Sequence, residues 1–177
     1  MNISDFRREE NYQEYLRLKN DPNYYDVTFD DKSGGVSAVH HNHRFDSEIG
    51  AYGIRIGEYE KNVVEVLRKR GHLITLESEI APNGVKTPDG YLDGFVMDIK
   101  STDGHGKWAI KDKLHSAAKQ GAECAILYFH DKTLFSTERV DDGWRKYTND
   151  EASQKHPQCI KRIICIAGDE VIDYRIP

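Results

Sequence analysis

Asp89 and the run Asp98-Ile99-Lys100 are the residues whose types and spacing promise chemistry. Between them stands Asp93-Gly94, the favoured pair for a two-residue type I′ turn. With those two as the turn, pairing follows by counting: Leu92 faces Phe95, Tyr91 faces Val96, Gly90 faces Met97 and Asp89 faces Asp98. Directly opposed residues share a side of the sheet, with Cβ atoms ~5 Å apart. Lys100, two residues beyond Asp98, points the same way. Two carboxylates and an ammonium are therefore expected on one face. Opposed like charges repel, and a divalent cation removes that conflict. Carboxylates and waters suit Mg²⁺ or Mn²⁺, hard ions that keep positions open for a phosphate. Such an ion activates water and stabilises charge developing on a phosphodiester. A nearby lysine orients the water or offsets phosphate charge. The competing reading is an exposed strand face with a plain Asp–Lys pair.

These side chains need elements to hold them. Residues 58–70 put Tyr59, Glu60, Val63, Val64 and Leu67 on one stripe, with Glu58, Asn62, Glu65 and Lys69 opposite. That is an amphipathic helix stopped by Gly71. Residues 72–79 read as a strand, with Glu77 and Glu79 alternating along it and Glu79 able to lean toward the site. Pro82-Asn83-Gly84 turns the chain, and residues 87–100 read as the hairpin. Residues 106–120 form a second helix with Ile110, Leu114, Ala117 and Ala118 on one face. Residues 123–129 are a near-continuous apolar run, as expected of a strand buried on both faces. Residues 133–158 read as polar and loop-rich. Residues 163–166 and 171–174 form a terminal hairpin about Gly168-Asp169. Upstream, residues 4–19 read as a helix ended by Pro22, and residues 27–29 and 36–39 as two short strands. The stretch from His40 to Gly57 reads as a His-rich loop. The domain division is 1–56 as an N-terminal arm or small extension, then 57–177 as the main domain. The fold class is α/β, a central mixed sheet flanked by helices.

Pro88-Asp89 followed by Asp98-Ile99-Lys100, set in this element order, resembles the PD-(D/E)XK nuclease superfamily. The resemblance implies a restriction-endonuclease-like core carrying an N-terminal helical arm and a terminal β-hairpin. It implies a divalent-metal-dependent endonuclease with Mg²⁺ or Mn²⁺ as cofactor. Asp89 and Asp98 would hold the metal, the Ile99 carbonyl would be a further ligand, and Lys100 would orient or polarise the attacking water. A helix acid often completes such sites; Glu60 suits that role better than Glu58 because it shares the buried stripe. Gln120, just before Gly121, matches a position where the superfamily often has a polar active-site residue. More narrowly, Gly57-Glu58-Tyr59-Glu60, Gly71-His72, Asp89-Gly90 and Asp98-Ile99-Lys100 resemble toxin-type nuclease domains at the C-termini of contact-dependent growth-inhibition proteins and of some phage head-morphogenesis proteins. Residues 39–45 look like sequence preceding that domain in the phage group. The resemblance covers roughly residues 36–130. Asp98 follows Asp89 by only nine positions, short for the superfamily, and the Asp93-Gly94 turn accounts for that. The toxin resemblance implies tRNA as substrate and an immunity protein as partner; the residues themselves leave RNA and DNA open.

The chain has 177 residues with 25 Lys+Arg against 30 Asp+Glu, a net charge of -5. That balance argues against a protein that coats nucleic acid by bulk charge. It leaves room for an acidic metal site beside a locally basic surface. Lys107 and Lys111 share a helix side close to the Asp98-Ile99-Lys100 strand and are candidates to track a phosphate backbone. Three cysteines without CxxC spacing suit a reducing, cytoplasmic setting. No apolar run approaches the ~20 residues of a membrane helix. His40, His41 and His43 invite zinc, yet no second pair of ligands follows to close a structural site. Asp93 reads as a turn former rather than a ligand. Two further function classes stay open: a phage-derived structural or partner-binding domain that keeps the fold without catalysis, and a metal-independent ribonuclease using His105 or His130.

Overall fold

The structure, a computed structural model, describes residues 3–150 and 160–177. By internal contacts the chain divides into two compact units, Met1–Gly94 and Phe95–Pro177. Each is α/β, with four strands of mixed sheet and two α-helices among the described residues. Residues 1–56 lie inside the first unit, together with the helix and strands that follow them. The boundary falls in the expected turn, where Asp93 (φ 49°) and Gly94 (φ 86°) both take the positive φ that a type I′ turn requires.

The first unit begins with helix α1 (Ile3–Lys19), which stops short of Pro22. Strands β1 (Tyr24–Phe29) and β2 (Val36–His40) pair antiparallel, with a break in register between Tyr25 and Thr28. The turn joining them is held by Asp30, whose carboxylate accepts the backbone N–H groups of Lys32 and Ser33. Leu18 of α1 packs with Val36 and Ala38 of β2, flanked by Tyr15, Val27 and Phe29. Helix α2 (Ile56–Lys69) then crosses to β3 (Leu73–Leu76), which runs parallel to β2. The helix buries Tyr59, Val63, Val64 and Leu67 and exposes Glu58, Asn62, Glu65 and Lys69, the stripe that its spacing dictates. Strand β4 (Gly90–Leu92) pairs antiparallel with β3.

Both of these strands are shorter than their sequence suggests. The strand expected over 72–79 stops at Leu76, and the hairpin arm expected from residue 87 starts at Gly90. Pro88 is the physical reason for the latter. It has no N–H to give a ladder and restricts the residue before it. One ladder-like bond persists outside the strands, from the Glu77 N–H to the Asp89 carbonyl at 2.9 Å.

The second unit opens with β5 (Phe95–Ser101) and crosses through α3 (Ala109–Lys119) to β6 (Cys124–Phe129), parallel to it. Every residue of β6 is buried, as its apolar run demands. Strand β7 (Arg162–Ala167) is parallel to β6, and β8 (Glu170–Tyr174) returns antiparallel in the expected hairpin. Between β6 and β7 the sequence reading needs correction. Residues 133–158 were expected to be loop-rich, yet α4 (Thr137–Asn149) fills much of that stretch. Ser136 caps it, its Oγ accepting the Arg139 N–H at 3.2 Å. Six of its thirteen residues are charged, which hides the narrow stripe of Val140, Gly143, Trp144 and Tyr147. Gly143 is needed there: a Cβ would come within 2.4 Å of Ile110 on α3, so the two helices cross at its bare backbone. Residues 151–159, the rest of that stretch and Cys159 with it, lie outside the described residues.

In the second unit α3 and α4 lay Ile110, Leu114, Ala117, Val140 and Tyr147 over Ala125, Leu127, Ile163 and Cys165. Cys124 and Cys165 are buried thiols without a disulfide. Burial pushes the Cys165 thiol up to about 12, so it packs as a hydrophobe. No helix among the described residues is long and apolar enough to cross a membrane.

Candidate functional site

In β5, Asp98 and Lys100 alternate onto the same side, and Lys100 Nζ lies 2.6 Å from Asp98 Oδ2. Their in-register partners on β6 are Ala125 and Leu127, both members of the apolar cluster under α3 and α4. Asp98 is fully buried; Lys100 keeps 16% of its side chain exposed. An exposed strand face with a solvated Asp–Lys pair is therefore excluded. A carboxylate withdrawn from water beside an apolar layer is costly and needs a partner such as this ammonium. Gln120 caps the end of α3, its backbone N–H directed at the carbonyls of Ser116 and Ala117, and its side chain is half-buried.

In the first unit, Glu60 projects from the buried edge of α2. His43 Nε2 lies 2.8 Å from Glu60 Oε2. The other ring nitrogen, Nδ1, lies 3.0 Å from the Glu77 carbonyl and 3.8 Å from Glu79 Oε1. The His43 side chain has no exposed surface. Burial pushes the Glu60 carboxyl up, the His43 hydrogen bond opposes that, and the negative charges of Asp89 and Glu79 push it further up. Burial lowers His43, yet the Glu60 hydrogen bond and the surrounding carboxylates outweigh it and leave His43 raised. Each ring nitrogen of His43 thus faces an oxygen, the Glu60 carboxylate on one side and the Glu77 carbonyl on the other. Asp89 itself is half-buried just ahead of β4. Its neighbour Gly90 sits where a Cβ would come within 1.8 Å of the Thr75 carbonyl oxygen, so only glycine allows this approach to β3.

The structure thus brings Asp98 to Lys100 in one unit, and Glu60 into the field of Asp89 in the other. Sequence reasoning missed His43 as Glu60's partner. Nothing in the spacing of His40, His41 and His43 separates them, but their surroundings do. His40 meets the Tyr24 ring edge-on, His41 stacks on Tyr25, and His43 turns inward. Glu77 and Glu79, read from sequence as alternating strand residues, lie beyond β3. The Tyr24 hydroxyl donates to the Glu77 carboxylate at 2.7 Å. Of the two lysines weighed for phosphate, Lys111 is engaged by Asp150 at 2.8 Å, a contact that raises it. Lys107 is exposed, its ammonium 5.2 Å from the centre of the Trp108 ring.

Asp93 is fully committed to structure. Its carboxylate accepts from the Leu73 N–H at 3.0 Å, and meets His72 Nδ1 and Arg7 Nη2 at 2.7 Å each. Burial would raise it, but the His72 hydrogen bond and charge, the Leu73 N–H and Arg7 together hold it well below its ordinary value of 3.8. A depressed carboxylate stabilises the fold above its unfolded-state value and loses that contribution as pH falls below it. Asp93→Asn keeps a residue that tolerates positive φ and removes only the charge. It is expected to destabilise the protein by about 1.5–3 kcal/mol near neutral pH. The difference from wild type should shrink as urea denaturation is repeated at pH values descending through 3.8. A pH-independent difference would mean that charge is not what Asp93 supplies.

Glu60 and Asp89 in the first unit, and Asp98 in the second, each offer carboxylate oxygens of the kind that a hard divalent cation takes. As arranged, no group of three or more His, Cys, Asp or Glu side chains among the described residues is ready to hold an ion. Compared with family models, with characterised proteins and with solved structures, the chain gives no match.

Proposed function

We propose that this protein is a metal-dependent phosphodiesterase, an endonuclease acting on RNA or DNA. The observation that carries the reading is the Asp98–Lys100 pair: a fully buried carboxylate with an ammonium 2.6 Å away, in the Asp-x-Lys spacing. A buried ion pair gives little net stability compared with apolar residues of similar size. Strand β5 therefore gains little structurally from carrying one, whereas charged groups held out of water at fixed positions are what reaction chemistry uses. A second support is Glu60, a carboxylate raised by burial and by the charges of Asp89 and Glu79, which a cation would relieve. Mg²⁺ or Mn²⁺, when bound, would polarise the phosphate and lower the pKa of the attacking water. Lys100 orients that water and offsets phosphate charge. Asp98 fixes the position of the Lys100 ammonium. His43 fixes the orientation of the Glu60 carboxylate. The resemblance of the motif to toxin nucleases makes tRNA the first substrate to try and an immunity protein the partner to seek.

One observation favours a second reading, a non-catalytic binding module: the lack of a ready-made group of metal-holding side chains among the described residues. The deciding experiment incubates the protein with total tRNA, plasmid DNA and single-stranded DNA, each with Mg²⁺, Mn²⁺ or chelator. Cleavage of at least one substrate that stops in chelator is expected. Cleavage that persists in chelator would point to a metal-independent histidine mechanism. No cleavage under any metal would favour the binding module.

A further inference from the structure

A cavity of about 410 Å³ opens in the first unit between α2 and the β1–β2 edge, and neither Glu60 nor His43 lines it. Its volume lies in the range of small-molecule sites. Four features of its wall stand out. Tyr25, 40% exposed, lines the cavity and stacks its ring on His41 at 5.0 Å and 27°. Phe45 lies in the wall with the Lys61 ammonium 4.9 Å from its ring centre. Arg68 reaches in from α2, with Nη1 donating to Ser37 Oγ at 3.0 Å and Nε buried without a hydrogen-bond partner. Asp26 stands at the rim, exposed, with φ 51°.

Asp26 occupies the break in the β1–β2 register. Bulges of this kind re-aim a side chain at the cost of a strained backbone. Glu65, the other wall carboxylate, is already neutralised by Lys69 at 2.6 Å. What remains is an aromatic surface, the Arg68 guanidinium, the Lys61 ammonium, which also meets Glu58 at 3.0 Å on the exposed face of α2, and the Asp26 carboxylate. A flat ring stacks on the first. A phosphate suits the guanidinium and the ammonium. The carboxylate accepts N–H donors from the edge of a ring. A nucleoside monophosphate combines all three requirements: a planar base with N–H groups, at nucleotide length from a charged phosphate.

We propose that this cavity binds one nucleotide, with the base stacked on Tyr25 and read at its edge by Asp26, and the phosphate held by Arg68 and Lys61. The site stands on its own geometry and does not depend on the cleavage reading. The nucleotide can be free or one unit of a strand, and the same contacts serve both.

Calorimetric titration in chelator, where no cleavage is required, tests it. The probes are AMP, GMP, CMP, UMP, the corresponding nucleosides, inorganic phosphate and a tetranucleotide. At least one mononucleotide or the tetranucleotide is expected to bind, with nucleoside and phosphate alone at least about tenfold weaker. Tyr25→Ala should weaken that binding about tenfold. Asp26→Asn, a rim change that keeps a residue tolerant of positive φ, should alter the preference among bases. Melting curves of both variants check that they fold. Binding of the tetranucleotide alone, weakened by the same substitutions, would assign the cavity to a strand, and binding of mononucleotides would assign it to free nucleotides. No binding by any nucleotide probe, or binding untouched by both substitutions, would overturn the proposal.

Discussion

Lys100→Met is expected to destabilise the protein by about 3–5 kcal/mol, the cost of breaking a buried ion pair by removing one partner. Asp98 has 1% of its side chain exposed. Asp98→Asn should cost less, about 1–3 kcal/mol, because Lys100 keeps 16% exposure and a flexible stem that lets its ammonium reach solvent. The two effects should not add. In the double variant neither charge remains, and an uncharged pair of similar volume is often as stable as the ion pair it replaces. A double-mutant cycle by urea denaturation should therefore return a coupling energy of at least about 1 kcal/mol, as residues in direct contact show. The asymmetry between the single variants is the sharper test. If Lys100→Met unfolds within about 1 kcal/mol of wild type, the range of an exposed ion pair, then Asp98 is reached by water or held by other groups.

That asymmetry was not legible in the sequence, although the pair was. Strand alternation puts Asp98 and Lys100 on one side whatever the rest of the fold does, and Asp93-Gly94 dictates its own turn through the φ values it tolerates. The periodicity of α2 likewise delivers its buried face and the place of Glu60 at its edge. These are local properties, and local physics reads them. Burial is not local. Asp98 reads equally well as a solvated strand residue until β6 and the helices above it are in place. His43 is the clearer case. Its spacing from His40 and His41 gives no hint that one histidine of three turns inward, because the partner that fixes it, Glu60, arrives 17 residues later. Helix α4 failed for a different reason. Its stripe is narrowed by Gly143, a residue unfavourable in a helix and required by the close crossing over Ile110. Tertiary packing there overrides propensity, and a reading built on propensity loses the helix.

On the proposed nuclease reading, cleavage should fall about 100–1000-fold when the Lys100 charge is removed, which corresponds to about 2.7–4 kcal/mol of transition-state stabilisation. Stability alone would confuse that result, since Lys100→Met is also expected to weaken the fold. Lys100→Arg separates the two effects. Arginine keeps a positive charge against Asp98, so most of the pair's contribution to folding survives. Its planar guanidinium is larger, spreads its charge and presents its donors in a fixed fork, so it cannot occupy the place of a compact ammonium. A lysine that only neutralises Asp98 would let Lys100→Arg cleave like wild type. A lysine that must stand within hydrogen-bond reach of water and phosphate would not, because misplacement of about 1 Å is enough to cost 100-fold. Single-turnover cleavage of the substrate found with Mg²⁺ or Mn²⁺ should accordingly show Lys100→Arg folded, near wild type in melting temperature and at least about tenfold slower. Full activity in Lys100→Arg would remove Lys100 from the chemistry and leave it as Asp98's counter-ion, and equal activity in Lys100→Met would remove the whole pair from the mechanism.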